Sequence, residues 1–553
     1  MGLITGNIKK SVSVDLLAGL LFLLFTIIVS WQVLVDVNTV LIGDDPDVYI
    51  NPWADWWTLK ALTNPNITLW QTDYLFYPLG ANLTFHSFSH LNTLVSLALR
   101  PLVGVTAGYN LAILLNYVLN GLAMFQLARY LTRSVIAAVL AGFVFAFNSH
   151  DQYQSAHPVL ISIWCFPWLT LYFMRAVREN RFVWAVVAAV FVFLGALSST
   201  VLLIMMGMWL AMLVVYMFFS ADWPRPPWRV LLTFGLASLL LVLPLLYPLL
   251  KEALAGNNSS FVTNPFDSIR MDMISIVMPY WYLWLLRGLY FGVVPGCLLV
   301  LACAWRWQKA RLWFLLLVSA YLFAIGPEPR FYGHPIDVVL PWTLPVAPFL
   351  RNMYRMNILL SLGLAMLVAY GWMVLAAQVR DMRLRRFIAI LVLFAIYMDY
   401  TAAPFPHTDV KVSPFYTHFL DRVPDNVVLA ILPTGRQEDK QYLYYQTLHE
   451  HPMTGGVISR SAPATFDFIY GNPLLRAGAV NLPATAIPED VPTHLQALAA
   501  AGVGYLVFDK TLLDTEELAA WQEAIALAPV YEDTLVLVYA TTAAISYLTP
   551  DQN

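Results

Sequence analysis

The sequence predicts a mainly α-helical, polytopic membrane protein: a bundle of about eleven spanning helices followed by a small α/β domain. Three observations carry this. Of the 553 residues, 59% are hydrophobic and only 12% charged, against about 25% charged in an ordinary soluble domain. Apolar runs near the spanning length of about 20 residues recur throughout residues 1–403. From residue 404 to 553 the chain changes to charges, prolines and short strand-length apolar runs. A net charge of -3 leaves no basic surplus, which excludes nucleic acid as a partner.

The first helix follows Lys9 and Lys10, as an apolar run over 14–35. That run is too long for a signal peptide, and no small-residue cleavage site follows it, so it reads as a retained span. Further spans are expected at 110–130, 131–148, 158–173, 182–197, 201–219, 230–250, 290–304, 312–324, 358–379 and 387–403. The run 91–105 is also apolar, but Arg100 interrupts it and Pro101 breaks it, so it is assigned to the membrane interface or a half-helix. The positive-inside rule supports this count. It places the short basic loops around Arg129/Arg133, Arg175/Arg178/Arg181, Arg225/Arg229, Arg306/Lys309/Arg311 and Arg380/Arg383/Arg385/Arg386 in the cytoplasm. A twelfth span at 91–105 would invert every later loop.

The expectation is therefore a multi-pass plasma-membrane protein with a cytoplasmic N-terminus. Its membrane domain is 1–403, with a large first outer loop at 36–108, and 404–553 forms an extracytoplasmic α/β domain. In that tail, 427–432 (VVLAIL), 503–508 (VGYLVF) and 534–540 (TLVLVYA) read as strands. The segment 492–501 reads as a helix closed by Gly502. Cys165, Cys297 and Cys303 lie in apolar runs without metal or redox spacing and read as small buried hydrophobes.

Chemistry concentrates in the outer loops. Directly after the first span comes Gly43-Asp44-Asp45-Pro46-Asp47-Val48-Tyr49, then Trp53, Asp55, Trp56 and Trp57, and later His86 and His90. Clustered carboxylates suit a base that accepts a proton from a hydroxyl, and aromatics such as Tyr49, Trp53 and Trp57 suit sugars. The same residues also suit a solvated turn with interfacial tryptophans. The second outer loop offers His150, Asp151 and His157, either as metal ligands together with the first-loop carboxylates or as a polar helix cap. The fourth carries Arg330, Arg351 and Arg355. The last two are four apart at an expected helix start and so share a face suited to a phosphate, or to ordinary lipid headgroups. Sequons at Asn66, Asn82 and Asn258 fall on outer loops.

This order of parts resembles the GT-C superfamily of integral membrane glycosyltransferases, such as the protein O-mannosyltransferases and the aminoarabinose transferases of lipid A. It is similar above all to large bacterial membrane proteins of that type. The resemblance lies in the acidic start, the Trp-rich segment and the stretch Asn64-Pro65 … Gln71-Thr72-Asp73-Tyr74-Leu75-Phe76-Tyr77-Pro78-Leu79-Gly80-Ala81-Asn82-Leu83. It continues in Phe349-Leu350-Arg351-Asn352-Met353-Tyr354-Arg355, and in Tyr444-Tyr445-Gln446-Thr447-Leu448-His449 … His451-Pro452 … Gly455-Gly456 … Ser459-Arg460 of the tail. The resemblance implies transfer of a sugar from a polyprenyl-phosphate donor, among membrane lipids, to an envelope glycan, lipid or protein acceptor on the outer face. It implies a catalytic base at Asp44 or Asp45, with Asp47 third, and Asp151 as a second acidic residue. It also implies donor phosphate held by the late arginines. The spacing here is Asp-Asp-Pro-Asp, where the O-mannosyltransferases carry an Asp-Glu pair. The resemblance leaves open whether a divalent cation (Mg or Mn) takes part. Two other readings stand beside it: a lipid-linked-sugar transporter, which calls for ionisable groups at mid-membrane depth, and a non-catalytic scaffold or accessory subunit of an envelope-polymer assembly.

Overall fold

The computed structural model describes residues 2–255, 265–278, 288–400, 404–461, 463–480 and 486–541, and the sequon Asn258 lies outside them. The chain forms two compact units. The first comprises Met1–Asn38, Ile42–Asp44 and Phe88–His407, and the second Thr39–Leu41, Asp45–Ser87 and Thr408–Asn553.

The first unit is helical because its sequence is apolar over spanning lengths, and in hydrocarbon a helix satisfies its own backbone. Each of the eleven apolar stretches carries a helix. Among the described residues, six segments are long and apolar enough to cross a membrane: Val105–Thr132, Val135–Ala156, Pro158–Glu179, Thr200–Phe219, Trp228–Leu254 and Met353–Gln378. The unit buries a mostly apolar interior that holds a few polar side chains, and it exposes long apolar faces. Leu232, Leu236, Leu239, Leu240 and Leu243 are exposed along Trp228–Leu254, and Leu16, Leu17, Leu20 and Leu24 along the first helix. Those faces fit lipid. Inside, Asn92 donates to Pro158 O at 2.9 Å and to Ser162 Oγ at 3.0 Å, and accepts from Asn116 at 2.7 Å. Asn92 stands on the helix His90–Val103, which at 14 residues fills the place of the expected half-helix.

Two further features bear on the transporter reading. Pro244 and Pro248 do not break their helix, which runs unbroken over Trp228–Leu254. The acids near helix ends are engaged: Asp15 pairs with Arg129 at 2.9 Å, and Asp399 accepts from the Tyr290 hydroxyl at 3.0 Å and from Val293 N–H at 2.6 Å.

The second unit is built on a four-stranded sheet in the order Val428–Leu432, Val503–Asp509, Val536–Ala540, Tyr531–Glu532. The first pair is parallel and the other pairs are antiparallel. The helix Val491–Ala500 leads into the second strand through Gly502, whose φ of +89° suits glycine. Asp514 and Glu517 form a capping box at the start of Thr515–Ile525. Leu432, Leu474, Leu498, Leu506, Phe508 and Leu537 fill the core. Residues 45–87, read from sequence as loop, belong to this unit: Met453 N donates to Tyr74 O at 2.9 Å, Phe76 N to Gly455 O at 3.1 Å, and Tyr77 N to Met453 O at 3.0 Å. The tail segment 453–455 in turn flanks the strand Val428–Leu432, since Thr454 N donates to Leu429 O at 3.0 Å.

Candidate active site

The acidic turn begins where the first unit holds the chain close. Gly43 has a φ of +113°, and a Cβ there would lie 2.5–2.8 Å from atoms of Ala156. Only glycine fits, so the exposed Asp44 is delivered beside the segment that carries Ala156. A Gly43→Val substitution should lower the thermal midpoint of the purified protein and its activity together.

In the second unit, Pro46–Tyr49 is a 3-10 turn capped by Asp45, whose Oδ1 accepts the Asp47 N–H at 2.9 Å. Cap and turn fix the Asp45 side chain while leaving it half-buried. Asp47 pairs with the Lys440 ammonium at 2.6 Å, and the same ammonium donates to Gln437 at 2.7 Å. Lys440 stands on the helix Asp439–His449, which is strapped along 47–60. Tyr444 meets Tyr49 edge-on at 6.2 Å, Trp53 Nε1 donates to Gln446 Oε1 at 2.7 Å, and Glu450, just past the helix, pairs with Lys60 at 2.8 Å. Burial, then Tyr444, Asp409 and Asp509, push the Tyr49 phenol up, so it stays a neutral donor. Lys440→Met should loosen Asp47 and cost about 1 kcal/mol, read as a lower unfolding midpoint.

The aromatic residues have a different place from the one the sequence suggests. Trp53 and Trp57 are 0% and 1% exposed and stack on each other at 5.9 Å. Their stacked faces build the core of the unit. His86 is buried as well, accepting Ser459 N–H at 3.2 Å and meeting Trp53 edge-on at 6.0 Å. His90 opens its helix in the first unit and stacks on Phe88.

Residues 148–157 and 351–357 meet within the first unit. Asn148 caps the helix Ser149–Tyr153 by accepting Asp151 N–H at 3.0 Å, and its amide donates to the Asp151 carboxylate at 2.9 Å. The Tyr117 hydroxyl donates to Asp151 O at 3.0 Å. His150 is buried against Tyr354 and lies 3.4 Å from the Asn357 amide. Here Asp151 ties down the cap residue Asn148, His150 makes a packing contact, and His157 precedes the short helix Pro158–Ile161. The shared face expected of Arg351 and Arg355 is absent. The long helix starts only at Asn357. Arg351 closes the short helix Ala347–Leu350 with a φ of +56°, and Arg355 sits in a separate 3-10 turn, Met353–Met356. Arg351 and Arg330 are exposed, and Arg355 is half-buried.

Sequence reasoning passed over several residues. Arg270 pairs with Glu328 at 3.1 Å, and burial and then the nearby Arg330 depress its guanidinium. Asp272 holds the Arg330 loop through the N–H groups of Tyr332 and Gly333 at 3.0 and 2.7 Å. Asp439 accepts from Gly435 N at 3.1 Å, Gly456 N at 2.8 Å and the Thr434 hydroxyl at 3.0 Å. The two tail glycines after Pro452 were the only signal pointing to Asp439.

No family model and no curated protein matches the chain, but solved structures do. It is similar to the arabinofuranosyltransferase AftD from Mycobacteria, with a TM-score of 0.60 and 16% identity over 95% of this chain and 40% of that one. It is similar to ArnT from Cupriavidus metallidurans, with a TM-score of 0.52 and 13% identity over 98% of this chain and 100% of that one. The Archaeoglobus fulgidus oligosaccharyltransferase in complex with Zn and sulfate matches with a TM-score of 0.52 and 13% identity, over 92% and 69%. The fold is of the GT-C type. At such identities the likeness is one of fold, and the chain spans only 40% of the length of AftD.

Proposed function

We propose that this protein is a membrane glycosyltransferase that moves a sugar from a polyprenyl-phosphate donor to an envelope glycan, lipid or protein acceptor at the outer face. The observation that carries the reading is the rigid acidic turn after the first helix of a GT-C-type fold, with Asp45 fixed by its own cap at 2.9 Å. In support, the similar structures include those of an arabinofuranosyltransferase and an oligosaccharyltransferase.

Asp45 takes the proton of the acceptor hydroxyl as the oxygen attacks the anomeric carbon. The bond from that carbon to the phosphate oxygen breaks, the configuration inverts, and polyprenyl phosphate leaves. Arg351 and Arg355, with Arg330 as a third cation, stabilise the departing phosphate. Asp44 is the alternative base, and Asp47 is committed to Lys440. The N-terminus lies in the cytoplasm and the tail domain outside.

The all-oxygen donors of Asp45 and Asp47, half-exposed on one turn, fit a hard divalent cation such as Mg or Mn, which would share Asp47 with Lys440. Such a cation would supply further positive charge against the leaving phosphate. The transporter reading loses ground because Asp15 and Asp399 are engaged near helix ends.

The test is transfer by the purified protein in lipid. Replacing both Arg351 and Arg355 by Ala should raise the KM for the polyprenyl-phosphate sugar at least tenfold and leave the KM for the acceptor unchanged. An unchanged donor KM would remove the arginines from the phosphate site.

A further inference from the structure

We infer that the hairpin of the first outer loop carries a separate binding cleft for a neutral glycan. Resting on the transferase reading, this would be the subsite that grips the acceptor chain away from its reacting end. The cleft, about 480 Å³, lies wholly within the second unit. That volume falls within the range of ligand sites, about 300–1,000 Å³.

The strand pairing sets its floor. Gln71 pairs with Asn82, and Thr72 with Ala81. Gln71, Thr72 and Asp73 all line the cleft, Gln71 and Asp73 exposed and Thr72 buried. Asn82, opposite Gln71, joins them as a cross-strand neighbour. Asn66 and Thr68 add an amide and a hydroxyl from the preceding loop, and Leu79 gives an apolar wall.

The frame is fixed before any ligand arrives. Thr72 accepts the Tyr74 N–H at 3.1 Å, Asn82 Oδ1 accepts the Thr84 N–H at 2.9 Å, and Leu83 N donates to Trp70 O at 2.8 Å. Gly80 has a φ of +69°, and a Cβ there would lie 2.6 Å from Thr72 O, so the turn tolerates nothing larger. The Trp57 indole donates to Leu69 O at 3.1 Å and closes the base.

The lining names the ligand class. It holds amides, hydroxyls and one carboxylate beside aliphatic carbon, and no lysine or arginine. Adjacent sugar hydroxyls present donor and acceptor together, which amides and a carboxylate match, and the C–H faces of a pyranose or furanose lie against Leu79. Without a cation, and with Asp73 present, a phosphate or other anion is disfavoured.

The experiment is saturation-transfer NMR on the full-length protein in nanodiscs, without donor, against a panel of neutral pentose and hexose oligosaccharides and their phosphorylated counterparts. Wild type should bind at least one neutral member, with affinity falling at least tenfold in both Gln71→Ala and Asp73→Ala and holding in Asp45→Asn. Absence of binding to every neutral member, binding only of phosphorylated members, or affinity unchanged in both cleft variants would overturn the inference. Because no transfer is measured, binding without any transferase activity would leave the cleft standing and remove the reaction. Transfer that persists with an unchanged acceptor KM in the cleft variants would remove the cleft and leave the reaction.

Discussion

Asp45→Asn should cut sugar transfer by about 10²–10⁴-fold, the usual loss on removing a general base, with the protein still folded. The substitution is close to isosteric. The side-chain oxygen that accepts the Asp47 N–H at 2.9 Å is present in Asn as well, so the cap of the 3-10 turn survives. What disappears is the ability to take a proton. The control is Asp47→Asn, which breaks the 2.6 Å pair with Lys440 and should cost much less activity. Rates at saturating donor, with thermal midpoints for each variant, check both. If Asp44→Asn abolishes transfer and Asp45→Asn does not, the base moves by one residue and the mechanism is otherwise unchanged.

Asp439→Ala should destabilise the second unit by about 3 kcal/mol or more. The side chain is 2% exposed and accepts from Gly435 N–H, Gly456 N–H and the Thr434 hydroxyl. Truncation leaves two buried donors and one half-buried donor without a partner, at about 1–3 kcal/mol for each buried one. It also frees the start of the helix that carries Lys440. The loss should appear as proteolytic opening of the second unit.

The pH dependence at Asp439 has a definite sign. Burial pushes the carboxyl up to about 7 from an ordinary 3.8, against hydrogen bonds from Gly456, Gly435 and Thr434 that favour the anion. The folded unit therefore holds a proton that the unfolded chain has already released. This stabilisation is whole below about pH 4 and is lost as pH rises through 7. Hydrogen-exchange protection factors in the second unit should fall over that interval in the wild type, and Asp439→Asn should flatten the response.

The fold was legible because its largest determinants are local. Spanning length is a property of one segment, and every apolar stretch read from the sequence carries a helix. The tail strands and the helix before Gly502 followed from alternation and punctuation and lie within a residue or two of where they were read. What the sequence hid is distant in the chain. Nothing near Asp47 announces Lys440, and nothing near Trp53 announces Gln446, 393 residues away. Trp53 illustrates the opposite error: an aromatic near a membrane surface is as good a core residue as a sugar platform, and only burial distinguishes the two. The shared face of Arg351 and Arg355 failed because the four-residue rule assumes a continuous helix, and Arg351 interrupts one with its positive φ.

The central claim is that this chain breaks the bond between a sugar and a polyprenyl phosphate. The most direct measurement is release of polyprenyl phosphate from a panel of polyprenyl-phosphate sugars by the full-length protein in nanodiscs, supplied with membrane-derived acceptors. The account predicts release with at least one donor, dependent on acceptor and lost in Asp45→Asn. Donors that bind but release nothing in the wild type would contradict it and leave an accessory subunit as the reading to pursue.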